Sequence, residues 1–331
     1  MTSISYHHTV NVLQVPDWDC TGPFARPSWF ALLEAAGMKP MVALASNGTG
    51  VIGLPLMDNG GNLSALTNWY AFTFADLRTP NAPPELLAAL TRDLAKRAHR
   101  IDLSKLAEED RTLARFRTAF AASGWLVYAE PCDINHVLPL NGRNYAAYLA
   151  DRPGQLRTTL KRKAKKVEVS LAAQFDPVDW AAYEAIYATS WKPEEGDPAM
   201  LRAFAQSESA AGRYRFALAW HDGEAVAAQF WTVDGNTAFI HKLAHSEDAK
   251  SLSPGTTLSA ALFEHVIDVD GVQMVDFGTG DDPYKRDWME ETRIRWQLTC
   301  VRPRDPRNWP FIAKSLAKSL ARKLVSRGAG S

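Results

Sequence analysis

Between Val275 and Met289 the sequence reads VDFGTGDDPYKRDWM, with two glycines, four acids, a tyrosine and two bases in fifteen residues. Gly278 and Gly280 follow a short apolar run, where a chain turns with positive φ or lets a ligand approach its backbone. Asp282–Pro283 has the form of a helix N-cap and first helical residue. Such a helix would set Asp281 and Lys285 one turn apart on one face, with Trp288 or Met289 a turn beyond. A glycine-rich strand-to-helix turn usually suggests phosphate, but Asp281 and Asp282 would stand at the positive end of this helix and repel an anion. A carboxylate that holds and deprotonates an incoming amine, with an ammonium offsetting nearby negative charge, suits these residue types better. The same residues would also make a capped surface turn with an Asp281–Lys285 ion pair of little energetic value.

Upstream, KSLSPGTTLSAALFE offers an anion site of another kind. Ser253 can cap a helix whose first turn, Pro254, Gly255, Thr256 and Thr257, carries no acid, so its free N–H groups and hydroxyls suit a diphosphate. The basic stretch QLRTTLKRKAKK sets Arg157, Lys161 and Lys165 on one helical stripe, dense enough to invite phosphate, though a solvated face is the ordinary use of such a run. His241 and His245 are four apart, but their segment reads as a strand and lacks the intervening Glu of a zinc hydrolase, so no metal is expected. Trp191 in TSWKPEEGDP directly follows a helix and could wall a ligand cleft.

These residues need elements to hold them. PMVALAS and VIGLPLM read as a hairpin, followed by a strand near Leu63–Leu66, a helix over Pro84–His99, the strand RIDLSKL, the helix RTLARFRTAFAASG, and the separate strands WLVYAE and INHVLPL. The second half repeats this rhythm. A basic helix and the strand KVEVSLAAQF lead to helices at PVDWAAYEAIYATSW and Pro198–Ala211. Three strands joined by Asp-Gly turns follow, then the helix SPGTTLSAALFEHVIDVDG, the strand VQMVDF, the short helix DPYKRDWM and a final strand TRIRWQLTCVRP. Each half is thus expected to be a mixed sheet with helices. The N-terminus around His7 and His8 shows no pattern and reads as disordered. The last segment, FIAKSLAKSLARKLVSRG, puts Ile312, Leu316, Leu320 and Leu324 on one stripe and Lys314, Lys318 and Arg322 on another. It suits either an anionic membrane surface or docking on the protein's own core.

The 331 residues carry 37 Lys plus Arg against 37 Asp plus Glu, so no global field draws the chain to nucleic acid, and any electrostatic function is local. Cys20, Cys132 and Cys300 are scattered, which argues against a disulfide framework and a cysteine zinc site. With no secretory pattern at the start and no run of the roughly 20 apolar residues that span a bilayer, the cytoplasm is the expected location, with the inner membrane face as a peripheral one.

DFGTGDDPYKRDW, taken with SPGTTL and QLRTTLKRKAKK, resembles the CelD/BcsL-like branch of the GNAT acyltransferases, which are related to the Fem-type aminoacyl transferases of cell-wall precursors. The resemblance runs from about Ser28 to Arg304. It implies an α+β chain of two tandem GNAT-like domains, with mixed, mainly antiparallel sheets flanked by helices. These are residues 1–140 and 141–305, the second holding the active site, followed by a basic amphipathic helix over 306–331. By that similarity Lys285 matches the lysine that Fem-type enzymes place near substrate phosphates or the developing oxyanion. The SPGTT turn (Ser253, Gly255, Thr256, Thr257) stands where GNAT enzymes bind the coenzyme A diphosphate. The usual Gln/Arg-x-x-Gly-x-Gly/Ala signature is missing and only Gly255 remains, so an acyl carrier protein or aminoacyl-tRNA stands beside acyl-CoA as a donor.

The expected reaction is direct acyl transfer, acetyl in the simplest case, to an amine or hydroxyl of an envelope sugar or lipid-linked precursor. Asp281, or else Asp276, takes the proton; Lys285 and backbone N–H groups stabilise the oxyanion; Tyr284 protonates the leaving group. Arg157, Lys161, Trp191, Lys242 and Trp288 are assigned to the substrate. The alternatives are an aminoacyl-tRNA-dependent ligase, the one reading with a nucleic-acid partner, and a non-catalytic module of polysaccharide assembly.

Overall fold

The computed structural model describes every residue except 15–16, 191 and 329–331, and the side chains of 319–328 also lie outside the described set. In chain order the elements are β1 (Ser3–His7), α1 (Pro27–Ala35), β2 (Pro40–Ser46), β3 (Val51–Asp58), β4 (Asn62–Ala65), β5 (Leu77–Arg78), α2 (Pro84–Leu94), β6 (Arg100–Leu106), α3 (Thr112–Ala122) and β7 (Leu126–Pro139). The second half contributes α4 (Tyr145–Ala150), α5 (Gly154–Lys163), β8 (Glu168–Ala172), α6 (Pro177–Ala188), α7 (Pro198–Ala210), β9 (Tyr214–His221), β10 (Glu224–Asp234), β11 (Thr237–His245), α8 (Pro254–Glu264), β12 (Met274–Thr279), β13 (Glu291–Val301) and α9 (Trp309–Gly328).

Among the described residues, thirteen strands join one sheet in the order β1-β2-β3-β4-β6-β13-β7-β12-β11-β10-β9-β8, with β5 on β3. Each half repeats a run of antiparallel strands that ends in a parallel pair, β4 with β6 and β11 with β12, bridged by a helical crossover. The halves are joined by strand exchange: β13, from the end of the chain, lies between β6 and β7, and β7 lies between β13 and β12. Their antiparallel register runs from Glu291↔Val137 to Val301↔Leu126. A shared sheet of this length gives neither half a free edge at the junction.

Four expectations change. WLVYAE and INHVLPL are one fourteen-residue strand, β7, because β13 supplies a continuous partner along both. The Pro84–His99 helix stops at Leu94, where a turn over 95–98 frees His99 to join the β4 edge through the Gly61 carbonyl. His7 belongs not to a disordered terminus but to β1, paired with β2 at Val42. DPYKRDWM forms a single 3-10 turn, Pro283–Asp287, rather than an α-helix.

The larger apolar core crosses the junction: Trp29 of α1 meets Phe204 of α7 edge to face at 5.3 Å. A second core lies under α8, where Phe263 packs between Trp231 and Trp288.

Candidate active site

β11 and β12 pair over only Thr237–Phe239 and Met274–Asp276 before they part. A bulge on each strand holds them apart. β11 carries an extra residue at His241, opposite Phe230 and Trp231, and β12 carries one at Phe277–Gly278, opposite β7. Bulged residues fall out of the ladder, so backbone polar groups at this wedge are released from sheet pairing.

A cavity of about 320 Å³ opens there, walled by Ile240 and Leu243 on β11 and by Phe277 and Thr279 on β12. The N-terminal half closes it with Trp69, Tyr70 and Phe72, on the irregular stretch between β4 and β5. Lys105 holds that stretch from beneath, its ammonium donating to the carbonyls of Asn68 (3.0 Å), Trp69 (3.3 Å) and Ala71 (2.5 Å).

Three lysines reach the cavity: Lys192, Lys242 and Lys285. Burial lowers the pKa of all three. For Lys192 the repulsion of Lys242 adds to burial, and its pKa falls to about 8. The Lys242 ammonium lies 4.2 Å from the Trp69 ring centre and 4.6 Å from that of Tyr70, and it bonds Glu195 at 2.8 Å. Glu195 also accepts from the hydroxyls of Tyr70 (2.8 Å) and Tyr183 (3.2 Å), which ties the 192–197 strap between α6 and α7 across the cavity. Gly196 lets that strap lie flat on Trp69, since a Cβ there would sit 2.8 Å from the indole nitrogen. His241, buried among Phe24, Phe72, Phe204 and Phe230, has its pKa lowered to about 3 and is a neutral wall.

The glycine turn after β12 holds Lys285. Its ammonium donates to the Thr279 carbonyl at 2.5 Å, and the side chain is buried. Gly278 takes φ +68°, and a Cβ on it would meet the Phe72 ring at 2.6 Å. Gly278→Ala should therefore cost about 2–4 kcal/mol through left-handed strain plus overpacking, read as a lowered denaturation midpoint. An unchanged midpoint would show that Phe72 yields freely.

The structure separates several residues that the sequence grouped. Asp281 does not face Lys285. It precedes the 3-10 turn and bonds His136 of β7 at 2.9 Å and Arg286 at 2.7 Å, outside the cavity. Asp276 is buried beneath the turn, where it accepts from the Gly278 N–H at 2.7 Å and from Asn135. Neither carboxylate lines the cavity; Asp282 and Tyr284 do. A Cβ on Gly280 would lie 3.5 Å from an Asp282 oxygen and 3.7 Å from the Lys285 ammonium, so these two groups flank one glycine. Burial pushes the Tyr284 hydroxyl up to about 12, so it keeps its proton at neutral pH. Trp288 is a core residue, stacked on Phe263 at 5.0 Å, and makes no wall. Trp191 lies outside the described residues.

The second expected anion site stands beside the cavity, not in it. Ser253 enters α8 in the left-handed conformation and accepts from the Lys163 ammonium of α5 at 3.0 Å. Gly255 approaches β11, its Cβ position 3.8 Å from Leu243, so that one leucine divides the turn from the chamber. Thr256 and Thr257 follow in the same first turn of α8. Arg157 and Lys161 are exposed on α5 and do not reach the cavity. Among the described residues no group of three His, Cys, Asp or Glu side chains is placed to hold a metal ion.

Sequence reasoning missed Lys192, Glu195, Asp282 as a wall residue, and the whole N-terminal contribution. The only local signals were clustered aromatics in NWYAF and the mixed charges of KPEEGD, both outside regular structure.

A mixed sheet built of two GNAT-like halves, with a wedge between the parallel strands of the second, defines a tandem GNAT fold. Residues 154–286 match the acetyltransferase (GNAT) domain, which supports an acyltransferase. No curated protein matches the sequence significantly. Among solved structures it is similar to FemX (10% identity, TM-score 0.62, covering 88% of this chain and 96% of that one). It is also similar to the C-terminal domain of a lysylphosphatidylglycerol synthetase from Agrobacterium fabrum (13%, 0.58, 88% and 90%). A tandem GNAT protein from the clavulanic acid pathway aligns over 92% of this chain and all of its own, at 13% identity and TM-score 0.50. At these identities the likeness is one of fold.

Proposed function

We propose that the enzyme transfers an acyl group, acetyl in the simplest case, from acyl-CoA to an amine or hydroxyl of an anionic precursor of the cell envelope, such as a phosphorylated sugar. The observation that carries this reading is the wedge cavity lined by Lys192, Lys242 and Lys285 under an aromatic wall. Buried ammonium groups beside aromatic faces suit a ligand that brings phosphate or carboxylate and a ring to stack. The likeness of DFGTGDDPYKRDW to CelD/BcsL-like proteins supports an envelope substrate.

In this scheme the donor's diphosphate lies at the first turn of α8 beside Lys163, and its thioester enters the wedge past Leu243. The acceptor nitrogen attacks the thioester carbonyl, so a C–N bond forms as the C–S bond breaks. Asp282 takes the ammonium proton in place of the Asp281 or Asp276 expected from sequence. Lys285 and the backbone at the β11 bulge stabilise the oxyanion; the Gly278 N–H of the β12 bulge is already bonded to Asp276. Tyr284 supplies a proton to the departing thiolate.

Incubation with acetyl-CoA and a panel of amino sugars, free and phosphorylated, tests this reading by free-thiol release and product mass. Phosphorylated acceptors should turn over best. Transfer that ignores the phosphate, or that requires an aminoacyl-tRNA as donor, would overturn it.

The acceptor's KM should also depend on pH. Lys192 is charged below its lowered pKa of about 8 and loses that charge as the pH rises through it. KM for an anionic acceptor should therefore rise above that pH, well before an ordinary lysine near 10.4 would titrate. Lys192→Met should raise KM at neutral pH and remove this first step. A KM that stays level through the range would take Lys192 out of substrate binding.

A further inference from the structure

We propose that α9 and the basic groove at its root form a docking surface for an anionic lipid bilayer. The sequence stripe of Ile312 and Leu316 does not point one way. Phe311 and Ile312 turn inward, Phe311 meeting the Tyr128 ring at 5.2 Å with the Arg100 guanidinium over it. Trp309 and Leu316 turn outward and are 58% and 56% exposed. The inward contacts anchor the helix to β7 and β6, which leaves the outward pair held up on a fixed support.

A groove of about 390 Å³ opens at the start of this helix, lined by Arg97, Arg302, Arg304 and Arg307, and Lys314 and Lys318 continue the charge along the exposed helix. Three acids temper it: Asp93 pairs with Lys96 on the groove's wall, Asp305 with Arg307 and Glu130 with Lys318. From Arg302 to Ser331 the chain carries eight Lys or Arg and one acid. Because the whole chain has equal numbers of each sign, the remainder is net acidic, and this end is one of two basic concentrations, the other being the stretch from Arg157 to Lys166.

A solvated basic face needs no outward tryptophan and leucine, and an ordinary apolar patch needs no ring of arginines. Together they match a surface that inserts apolar side chains at the headgroup level while basic groups meet anionic lipid. No helix among the described residues is long and apolar enough to cross a membrane, so the contact is peripheral. Such a site would bring the enzyme to lipid-linked acceptors, although the inference does not rest on the substrate.

Co-sedimentation of the full chain tests it, using vesicles of phosphatidylcholine alone and of phosphatidylcholine with phosphatidylglycerol at about three to one. The wild type should bind the anionic vesicles at least about tenfold more tightly, and the binding should weaken with salt. R304S/R307S and W309S/L316S should each lower that affinity by about tenfold with unchanged melting temperatures. Wild-type protein that stays in the supernatant would overturn the proposal. So would W309S/L316S binding as tightly as wild type, the result for simple adsorption or for an RNA-binding face. Trp309 gives up only an exposed hydrogen bond from its indole N–H to the Pro303 carbonyl (3.1 Å), so this variant remains informative even if the arginine variant unfolds.

Discussion

Lys285→Ala should lower kcat/KM for acyl transfer by about 100-fold or more, the loss that follows removal of one well-placed oxyanion donor, about 3 kcal/mol. The effect should fall mainly on kcat, because the scheme gives Lys285 its strongest interaction when the carbonyl oxygen becomes negative. Lys285 is held for this by the end of β12, where its ammonium donates to the Thr279 carbonyl at 2.5 Å. Asp282→Asn should also slow turnover. Asp281→Asn should change it by no more than about threefold, because that carboxylate is engaged with His136 and Arg286 outside the cavity. Full activity in Lys285→Ala would remove the lysine from the mechanism, and a large loss in Asp281→Asn would return the proton to the residue first expected from sequence.

The second large effect concerns stability. Lys242 and Glu195 form a buried pair, with side chains only 7% and 9% exposed. Lys242→Met leaves the Glu195 carboxylate bonded to the two tyrosine hydroxyls, with Lys192 as the remaining cation that it interacts with, which should cost about 3 kcal/mol of unfolding free energy. Adding Glu195→Gln should restore about half of that or more, because the stranded charge is gone. The double-mutant cycle should then give a coupling of about 2 kcal/mol or more. Additive single effects would show that the strap is held by Tyr70 and Gly196 rather than by the ion pair. Because Lys242 also lines the cavity, the double variant should bind anionic acceptors weakly even where it folds well.

Local patterns announced much of this molecule. The β2–β3 hairpin, the prolines that open α2, α6 and α7, and the glycine turn around Lys285 all act through neighbours in sequence, where propensity and turn chemistry are strong. Other features depend on pairing over long separations. Nothing within WLVYAE or INHVLPL tells that β13, more than 150 residues on, makes them one strand. The cavity wall was hidden for the same reason, since Trp69, Tyr70 and Phe72 sit in a stretch without periodicity, and Lys105 sets their place from another strand. Asp281 misled because an α-helix was assumed. The 3-10 turn begins after it and aims its carboxylate at His136, a residue 145 positions earlier.

In the proposed reaction, acyl transfer takes place where β11 and β12 part. The most direct measurement is a crystal structure with a non-hydrolysable thioether analogue of acetyl-CoA. The analogue's acyl carbon should lie in the wedge between Leu243 and Phe277, within reach of Lys285, with its diphosphate at Ser253–Thr257 and Lys163. An analogue that binds with its acyl end anywhere else, or with the wedge still closed by the 192–197 strap, would contradict the account.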